Sequence, residues 1–341
     1  MKAVNTRSTI LLGLALLVME TFRVAAAAAE PRYELTQIVD SRNLDFVPEE
    51  GWDLNDHGDV VGDARFQQFS FGAFLWKNKR LVDLGHTDDV NAAIFARGIN
   101  NRAEIVGSRL PQRGGVTPVI WRHHRMQDLP LLPEAVSGEA WSINDRGQAV
   151  GDSRSFAAIS ATLWQYGTVE AIAPEGTAFY INNRGQAVGR SLFGTFLWSE
   201  GLLTYLFTDR QVFHINNRGE IVGSLALAGG GSAAYVLKDG ETTVLPNLPG
   251  ATDVTPWGSN DHGQVVGESS IPAVARHATL WQDGRVYILQ DLIRDSDPRK
   301  ASTILNVAKR INRKGQILAN GQDLNEPGVL KVYLLTPTKR Q

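Results

Sequence analysis

Ile181-Asn182-Asn183-Arg184-Gly185-Gln186-Ala187-Val188-Gly189 is a stretch whose residue order predicts a tight β-hairpin. The Asn182 side chain, at the first turn position, can bond to the backbone two residues further on. Gly185 supplies the positive φ that a type I turn with a G1 bulge requires. The residues after it form a short returning strand, which we expect to end at Gly189, a sign of a bend or of a close approach between backbones.

The hairpin pattern recurs along the chain. Seven copies begin at Asn55, Asn100, Asn144, Asn182, Asn216, Asn260 and Asn312, and successive copies start 34 to 52 residues apart. Propeller blades repeat at roughly 40–50 residues. Six copies keep the turn glycine, and the second has Ala103 instead. Holding alanine in the left-handed region costs about 1 kcal/mol, so we expect this turn either to be the weakest or to have another shape.

Each copy continues as a repeat of four strands. The hairpin provides the first two, a variable connection leads to the third, and a short turn leads to the fourth. The third strands end at Trp76, Trp121, Trp164, Trp198, Leu237, Trp281 and Leu335. Fourth strands are predicted at 81–84, 126–129, 168–172, 202–206, 242–246 and 285–289. No segment has a sustained helical period, so we predict an all-β chain.

The strand count indicates how the repeat closes. The seventh copy has no fourth strand after Leu335, whereas residues 33–39 at the start have the character of one. We therefore predict a seven-bladed β-propeller of four-stranded antiparallel blades, closed by the N-terminal strand completing the last blade. The alternative, an open solenoid, gives that extra strand no role.

Residues 1–29 are typical of a secretory signal peptide. Lys2 and Arg7 are basic, residues 10–19 form an apolar run too short to span a bilayer, and residues 25–29 are alanines. We expect cleavage after Ala29, which would leave 30–341 as a single secreted or periplasmic propeller domain with no membrane span. The alternative is an uncleaved anchor, which Glu20 disfavours.

The composition excludes several kinds of site. The chain has no cysteine, which excludes disulfides, thiolate metal sites and a cysteine nucleophile. A formal net charge of −2 gives no electrostatic basis for binding nucleic acid or an anionic membrane. No nucleophile elbow, phosphate-binding glycine loop or zinc motif is present. We therefore predict no catalytic residue, metal or cofactor, and we expect a monomer.

The repeat also resembles a known family. The pattern Ile-Asn-Asn-Arg-Gly-Gln-x-Val-Gly, followed by His277-Ala278-Thr279-Leu280-Trp281 or Gly72-Ala73-Phe74-Leu75-Trp76, is similar to the HAF-repeat extracellular proteins. The resemblance covers nearly all of the chain after residue 29, although no copy keeps His-Ala-Phe whole. It implies export and a repeated β fold, and it carries over no activity or catalytic residue.

The long connections of the repeat are predicted to lie on one face, because its first and third turns are short. Four arginines open the second-to-third connection in successive copies: Arg65, Arg109, Arg154 and Arg190. Converging arginines could hold a carboxylate or sulfate bidentately. The arrangement resembles that of sialidase-type propellers, whose partner tyrosine and acids are not identifiable here. The alternative is four independent surface arginines.

Acidic residues mark the connections between copies. The candidates for ligand binding there are Asp88, Asp89, Glu139, Asp253 and Asp297. A carboxylate cluster could bind a cation or do acid–base work. The alternative is solvated loop charge, and the spacing of these residues matches no metal-binding loop.

Two further sets repeat with the scaffold, and we assign them to folding; the alternatives are anion binding for the first set and sugar stacking for the second. Basic residues stand at the turn tips: His57, Arg102, Arg146, Arg184, Arg218, His262 and Lys314. The third-strand tryptophans are expected to pack between blades. Trp52, Trp141 and Trp257 lie three residues before a turn Asn, and we expect them in the core as well.

Three functional hypotheses follow. The first is an exported binding scaffold that takes a carbohydrate, peptide or protein ligand on the long-loop face. The second is an enzyme, a hydrolase or lyase on an acidic glycan, and the third is a structural envelope protein. The fold alone does not separate them.

Overall fold

A computed structural model describes residues 30–39, 46–66, 70–87, 89, 91–123, 125–272 and 275–338. The predicted signal peptide, 1–29, lies outside the described residues. Those from Pro31 onward belong to one compact unit. The described part is all-β, as predicted, with one short 3-10 helix at Leu289–Leu292. It contains no helix long and apolar enough to cross a bilayer.

The described part of the chain contains 28 strands. The first fourteen are β1 (Tyr33–Gln37), β2 (Phe46–Leu54), β3 (Val60–Phe66), β4 (Ser70–Lys77), β5 (Arg80–His86), β6 (Ala93–Ile99), β7 (Ile105–Leu110), β8 (Thr117–Arg122), β9 (Arg125–Asp128), β10 (Ser137–Ile143), β11 (Ala149–Arg154), β12 (Ile159–Gln165), β13 (Thr168–Pro174) and β14 (Gly176–Ile181). The others are β15 (Ala187–Ser191), β16 (Gly194–Ser199), β17 (Leu202–Phe207), β18 (Arg210–Ile215), β19 (Ile221–Ala226), β20 (Ser232–Lys238), β21 (Glu241–Val244), β22 (Asp253–Ser259), β23 (Val265–Ile271), β24 (Ala275–Gln282), β25 (Arg285–Ile288), β26 (Thr303–Ile311), β27 (Ile317–Asp323) and β28 (Leu330–Pro337).

These strands pair as four-stranded antiparallel meanders. From β2 to β25, each run of four consecutive strands pairs in chain order, and one parallel bridge, Phe71 to Ala93, joins the first two runs. The last sheet has the order β1-β28-β27-β26, so the N-terminal strand forms its edge. Tyr33 lies opposite Pro337 and Gln37 opposite Tyr333 in that pairing.

The hairpin turns have the predicted conformation. Within the fourth copy, the Gly185 amide donates to the Asn182 carbonyl, and the Asn182 amide donates to the Gln186 carbonyl, both at 3.0 Å. Gly185 has a φ of 82°, and Ala103 has a φ of 58° at the same turn position. The Asn182 Oδ1 accepts from the Arg184 amide at 3.0 Å, as expected for an Asx turn. The turn prediction is therefore confirmed, including the strained alanine.

Hydrogen bonds between successive turns were not predicted. Asn182 Nδ2 donates to the Asn216 carbonyl at 2.8 Å. The equivalent bond links each turn Asn to the next copy, and Asn312 Nδ2 donates to the Asn55 carbonyl at 3.0 Å. We call this closed cycle of seven bonds the asparagine ring. Its members are buried. Each side-chain amide therefore supplies the hydrogen bond that water would otherwise make to the backbone carbonyl of the next turn.

Close backbone contact explains the glycine at the seventh residue after the turn Asn. A Cβ on Gly189 would lie 2.1 Å from the Thr177 carbonyl oxygen of the paired strand. The strand does not end there, contrary to our expectation, because β15 continues to Ser191. Gly189 therefore serves close approach within the hairpin rather than strand termination.

The apolar core is divided into clusters between neighbouring sheets. One cluster joins Val60 and Phe74 of the first meander to Leu318, Val332 and Leu334 of the last sheet. The predicted packing of the third-strand tryptophans is confirmed, since Trp76, Trp121, Trp164 and Trp281 are buried and Trp198 is half-buried. Several also donate to a carbonyl of the preceding copy, for example Trp121 Nε1 to Leu84 at 2.8 Å.

Replacing one amide of the asparagine ring by a carboxylate should destabilise the fold. We expect Asn182→Asp to lower the free energy of unfolding by about 2–3 kcal/mol, because it removes the Nδ2 donor from two buried acceptors while keeping the Asx turn. Urea denaturation measures this change. The control is Asn325→Asp at an exposed position, expected within about 0.5 kcal/mol of the parent. Equal stability of both variants would contradict a structural role for the ring.

Candidate functional site: the central cavity

All seven first strands, β2, β6, β10, β14, β18, β22 and β26, line one cavity of about 340 Å³, which we call the central cavity. Its lining residues are Trp52, Arg97, Trp141, Phe179, Arg190, Gln211, Val212, Phe213, Trp257, Lys309 and Arg310. Arg190 and Gln211 are exposed, so the cavity opens to solvent beside them. Both lie near the strand ends opposite the asparagine turns. The volume is within the usual range for ligand pockets.

A β-bulge in every first strand supplies the wall of this cavity. The pairing register shifts by one residue at the third position before each turn Asn. The unpaired residues there are Trp52, Arg97, Trp141, Phe179, Phe213, Trp257 and Lys309. A bulge re-aims a side chain, because the extra residue breaks the alternation of the strand. The expectation that Trp52, Trp141 and Trp257 are core residues is therefore wrong: they are half-buried and line the cavity.

The two cations among the bulged residues are packed against aromatic rings. The Arg97 guanidinium lies 4.3 Å from the Trp52 ring centroid. Lys309 Nζ lies between two rings, 4.4 Å from the centroid of Trp52 and 4.7 Å from that of Trp257. Such cation–π contacts strengthen as the groups lose water. Burial lowers the pKa of Lys309, an effect that its ion pair with Glu50 opposes.

Carboxylates behind the wall hold the tryptophans in place. Trp52 Nε1 donates to Asp63 at 2.8 Å, Trp141 Nε1 to Asp152 at 3.4 Å and Trp257 Nε1 to Glu268 at 3.3 Å. These acids directly follow the close-approach glycine of their copies. These acids were not predicted as site residues, although a polar residue eight positions after the turn Asn in all seven copies was a visible signal. Burial raises the pKa of Asp63, with Arg97 opposing it.

A polar layer is formed by the residues that directly follow the bulged residues, and it lies between the cavity wall and the asparagine ring. Buried Asp53 forms an ion pair with Arg310, with Nε 3.2 Å from Oδ1. His214 is buried, its Nδ1 lies 3.1 Å from Ser259 Oγ, and its ring packs on that of Tyr180 at a tilt of 44°, with the centroids 4.0 Å apart. Burial, with the positive charge of Arg310, holds the pKa of His214 well below its ordinary value of 6.5. His214 is therefore neutral in the folded protein at neutral pH.

The four predicted arginines have different surroundings, and their role in binding stays a prediction. They lie within second strands β3, β7, β11 and β15, because these strands continue beyond the glycine. Arg65 pairs with Glu49 at 2.9 Å, Arg109 makes two hydrogen bonds to Asp128 at 2.9 and 2.7 Å, and Arg154 pairs with Asp152 at 2.7 Å. Of the four, only Arg190 lines the central cavity.

The predicted acidic residues are also dispersed. Asp89 accepts from the Asn91 amide, Asp253 accepts from the Thr252 hydroxyl, and Asp297 accepts from the amides of Leu35 and Arg299. Glu139 lies in β10, 3.7 Å from Arg154, and burial raises its pKa. Asp88 lies outside the described residues. No hydrogen bond or ion pair joins two of these acids where the chain is described, and their role in binding stays a prediction.

The basic turn tips take part in contacts between copies. Arg146 donates to the Arg184 carbonyl at 3.3 Å and Arg184 to the Arg218 carbonyl at 3.1 Å. These bonds support a scaffold role for the tips. Among the residues that the structure describes, no group of three or more His, Asp and Glu side chains could hold a metal ion.

Comparison with known proteins shows the fold and nothing narrower. No protein-family model matches the chain, and no curated protein matches it. Among solved structures, it is similar to the β-propeller domain of the Trilobed protease from Pyrococcus furiosus, with a TM-score of 0.59, 9% identity and coverage of 87% of this chain and 95% of that one. That propeller domain has an open velcro topology.

Two other structures agree with this likeness. YCF48 bound to D1 peptide has a TM-score of 0.54 and 14% identity, over 92% of this chain and 97% of that one. Pyrococcus horikoshii acylaminoacyl peptidase also has a TM-score of 0.54 and 14% identity, over 87% of this chain. This chain spans only 52% of the peptidase, about half its length. The chain therefore has a β-propeller fold.

Acid should destabilise the protein partly through His214. Its folded-state pKa is depressed, so the unfolded chain binds a proton first, and stability present above about pH 6.5 is lost as the pH falls. We expect a slope of up to about 1.4 kcal/mol per pH unit from this residue. His214→Gln should flatten the decline between pH 6.5 and 5 in urea denaturation, while His262→Gln at an exposed tip should not. An unchanged slope in His214→Gln would contradict a buried neutral imidazole.

Proposed function

We propose that this protein is an exported binding scaffold, a seven-bladed propeller that takes its ligand in the central cavity. The observation that carries the proposal is that every first strand contributes its bulged residue to one aromatic and cationic wall. A fold that needed only packing would have no reason to unpair the same residue seven times, because each bulge leaves backbone groups out of the ladder. Support for export comes from the sequence of residues 1–29 alone.

Closure of the ring is part of the proposal. The pairing of β1 with β28, the cluster between the first and last sheets, and the asparagine ring all support it. A closed ring would fix the seven first strands around the cavity and keep its shape when no ligand is bound.

The composition of the wall favours binding over catalysis. Aromatic rings bury large areas and lose little conformational entropy on binding, which suits recognition. The acids near the cavity are engaged with tryptophan N–H groups or cations, so none is placed as a free general acid or base. A carbohydrate, peptide or protein segment that inserts a ring or a charged group fits this wall.

Closure predicts that the N-terminal strand stabilises the whole domain. Deleting residues 30–40 from the mature chain should lower the melting temperature by several degrees or prevent folding, because the last sheet loses its edge strand and the buried Tyr33 and Leu35. The control removes residues 339–341 at the other terminus, beyond β28. A truncated protein that melted like the parent would refute the closed ring.

Blocking the cavity should abolish ligand binding. We would screen oligosaccharides, peptides and ring compounds of either charge by thermal shift, using protein recovered from the exported fraction, whose first residue is expected to be Glu30. A hit should lose binding at least about tenfold in Gln211→Trp, which fills the mouth of the cavity. The matched control is Thr204→Trp, which places the same indole on exposed β17.

The outcomes of this screen separate the hypotheses. A ligand that binds Gln211→Trp as tightly as it binds Thr204→Trp would have its binding site outside the central cavity. A screen with no ligand of any class would leave the wall as a packing feature and would favour the structural envelope hypothesis. Turnover of a bound glycan would instead favour the enzyme hypothesis.

A further inference from the structure

We infer that the ligand of the central cavity is an aromatic carboxylate, with its ring against the phenylalanines of β14 and β18 and its carboxylate on Arg190. This inference rests on the proposed function and names the chemistry of the same site. Among the described residues, the side chains that line the cavity include four cations, Arg97, Arg190, Lys309 and Arg310, and no carboxylate.

Three of these cations already have acidic partners. Arg97 pairs with Asp63 at 2.6 Å, Lys309 with Glu50 at 3.1 Å and Arg310 with Asp53 at 3.2 Å. Arg190 has no ion pair with any residue in the described ranges, and it is exposed at the mouth. It is therefore the cation that an incoming anion can bind without first breaking an internal pair. A guanidinium suits a carboxylate because two N–H groups match its two oxygens.

The repeat itself marks this position as exceptional. In three copies the bulged residue is a tryptophan whose Nε1 donates to the acid that follows the close-approach glycine. These acids are Asp63, Asp152 and Glu268. In the fourth copy the bulged residue is Phe179, which has no N–H to donate, and Arg190 stands where the acid would be. The other three copies have Ser108, Ser224 and Asn320 at this position, so the repeat forms without an acid there and Arg190 is the single cation among the seven. We infer that this positive charge serves binding rather than folding.

The wall beside Arg190 is apolar. Phe179, Phe213 and Val212 line it without side-chain hydrogen-bonding groups, and Trp257 meets Phe213 edge to face with the centroids 5.1 Å apart. A sugar placed there would leave most of its hydroxyl groups unpaired, which is costly in a desolvated site. An aryl ring gains offset or edge contacts with these rings and leaves only the carboxylate to be paired.

The test uses 2-naphthoate and its uncharged isostere 2-naphthamide, titrated by calorimetry against the mature chain. The parent protein should bind naphthoate at least about tenfold more tightly than the amide. Arg190→Gln should remove that preference while leaving amide binding unchanged, and Arg190→Lys should keep only part of it, because an ammonium cannot pair bidentately. Arg285→Gln, at an exposed position on β25 outside the cavity, is the matched control and should behave like the parent.

Two sources could supply this chemistry, a free aryl acid or the C-terminal aromatic residue of a peptide. N-acetyl-Gly-Phe and its C-terminal amide test the second, and a preference for either acid over its amide that depends on Arg190 supports the inference. Equal binding of acid and amide by the parent, or a preference that survives in Arg190→Gln, overturns it. If these probes fail while the screen finds another ligand blocked by Gln211→Trp, this inference is wrong and the proposed function stands. If nothing binds at all, both are wrong.

Discussion

The asparagine side chain at each turn is the interaction on which the remaining structure depends. In the fourth copy, Asn182 Oδ1 accepts from two backbone amides of its own turn, and Nδ2 donates both to Gln186 Oε1 and to the Asn216 carbonyl. The amide thus uses both of its donors and both of its acceptor sites. A carboxylate lacks the donors. Because the group is buried, each bond is kept from competition with water, and the distance between neighbouring first strands is set at one end.

Much of the fold could be predicted from local chemistry. The turn required an Asx residue and a left-handed glycine, and both requirements act within five residues, so they are readable from Asn182 to Gln186. For Ala103 the sequence left two outcomes open, and the structure has the left-handed one. The bond from Asn182 to Asn216 was not predicted, because it joins residues 34 positions apart and depends on how two hairpins lie side by side. Repetition of the residue was visible, but the direction of its second donor was not.

The site was harder to predict, for a reason that Trp52 illustrates. A strand that alternates strictly would direct Trp52 to the same side as Leu54, and Leu54 is buried in the core. The bulge at Trp52 breaks that alternation. The only sign of it in the sequence is Gly62 on the paired strand, which lets the two backbones approach closely. The convergence of the four arginines could not be judged from the sequence, for a related reason. Arg190 is eight residues after its turn Asn, Arg109 is nine, and Arg65 and Arg154 are ten, so their equivalence in the repeat was only apparent.

The unpaired residue in each first strand frees one position of the repeat from the rules that govern the others. Its backbone has no partner in the pairing register, so its side chain is not constrained by a residue directly opposite. Tryptophan, arginine, phenylalanine and lysine all occupy it in this one chain. Substitutions at this position can therefore change which molecule is recognised, one residue at a time, while the fold is kept. Two proteins built on this repeat could share their whole hydrogen-bond ladder and still discriminate opposite charges.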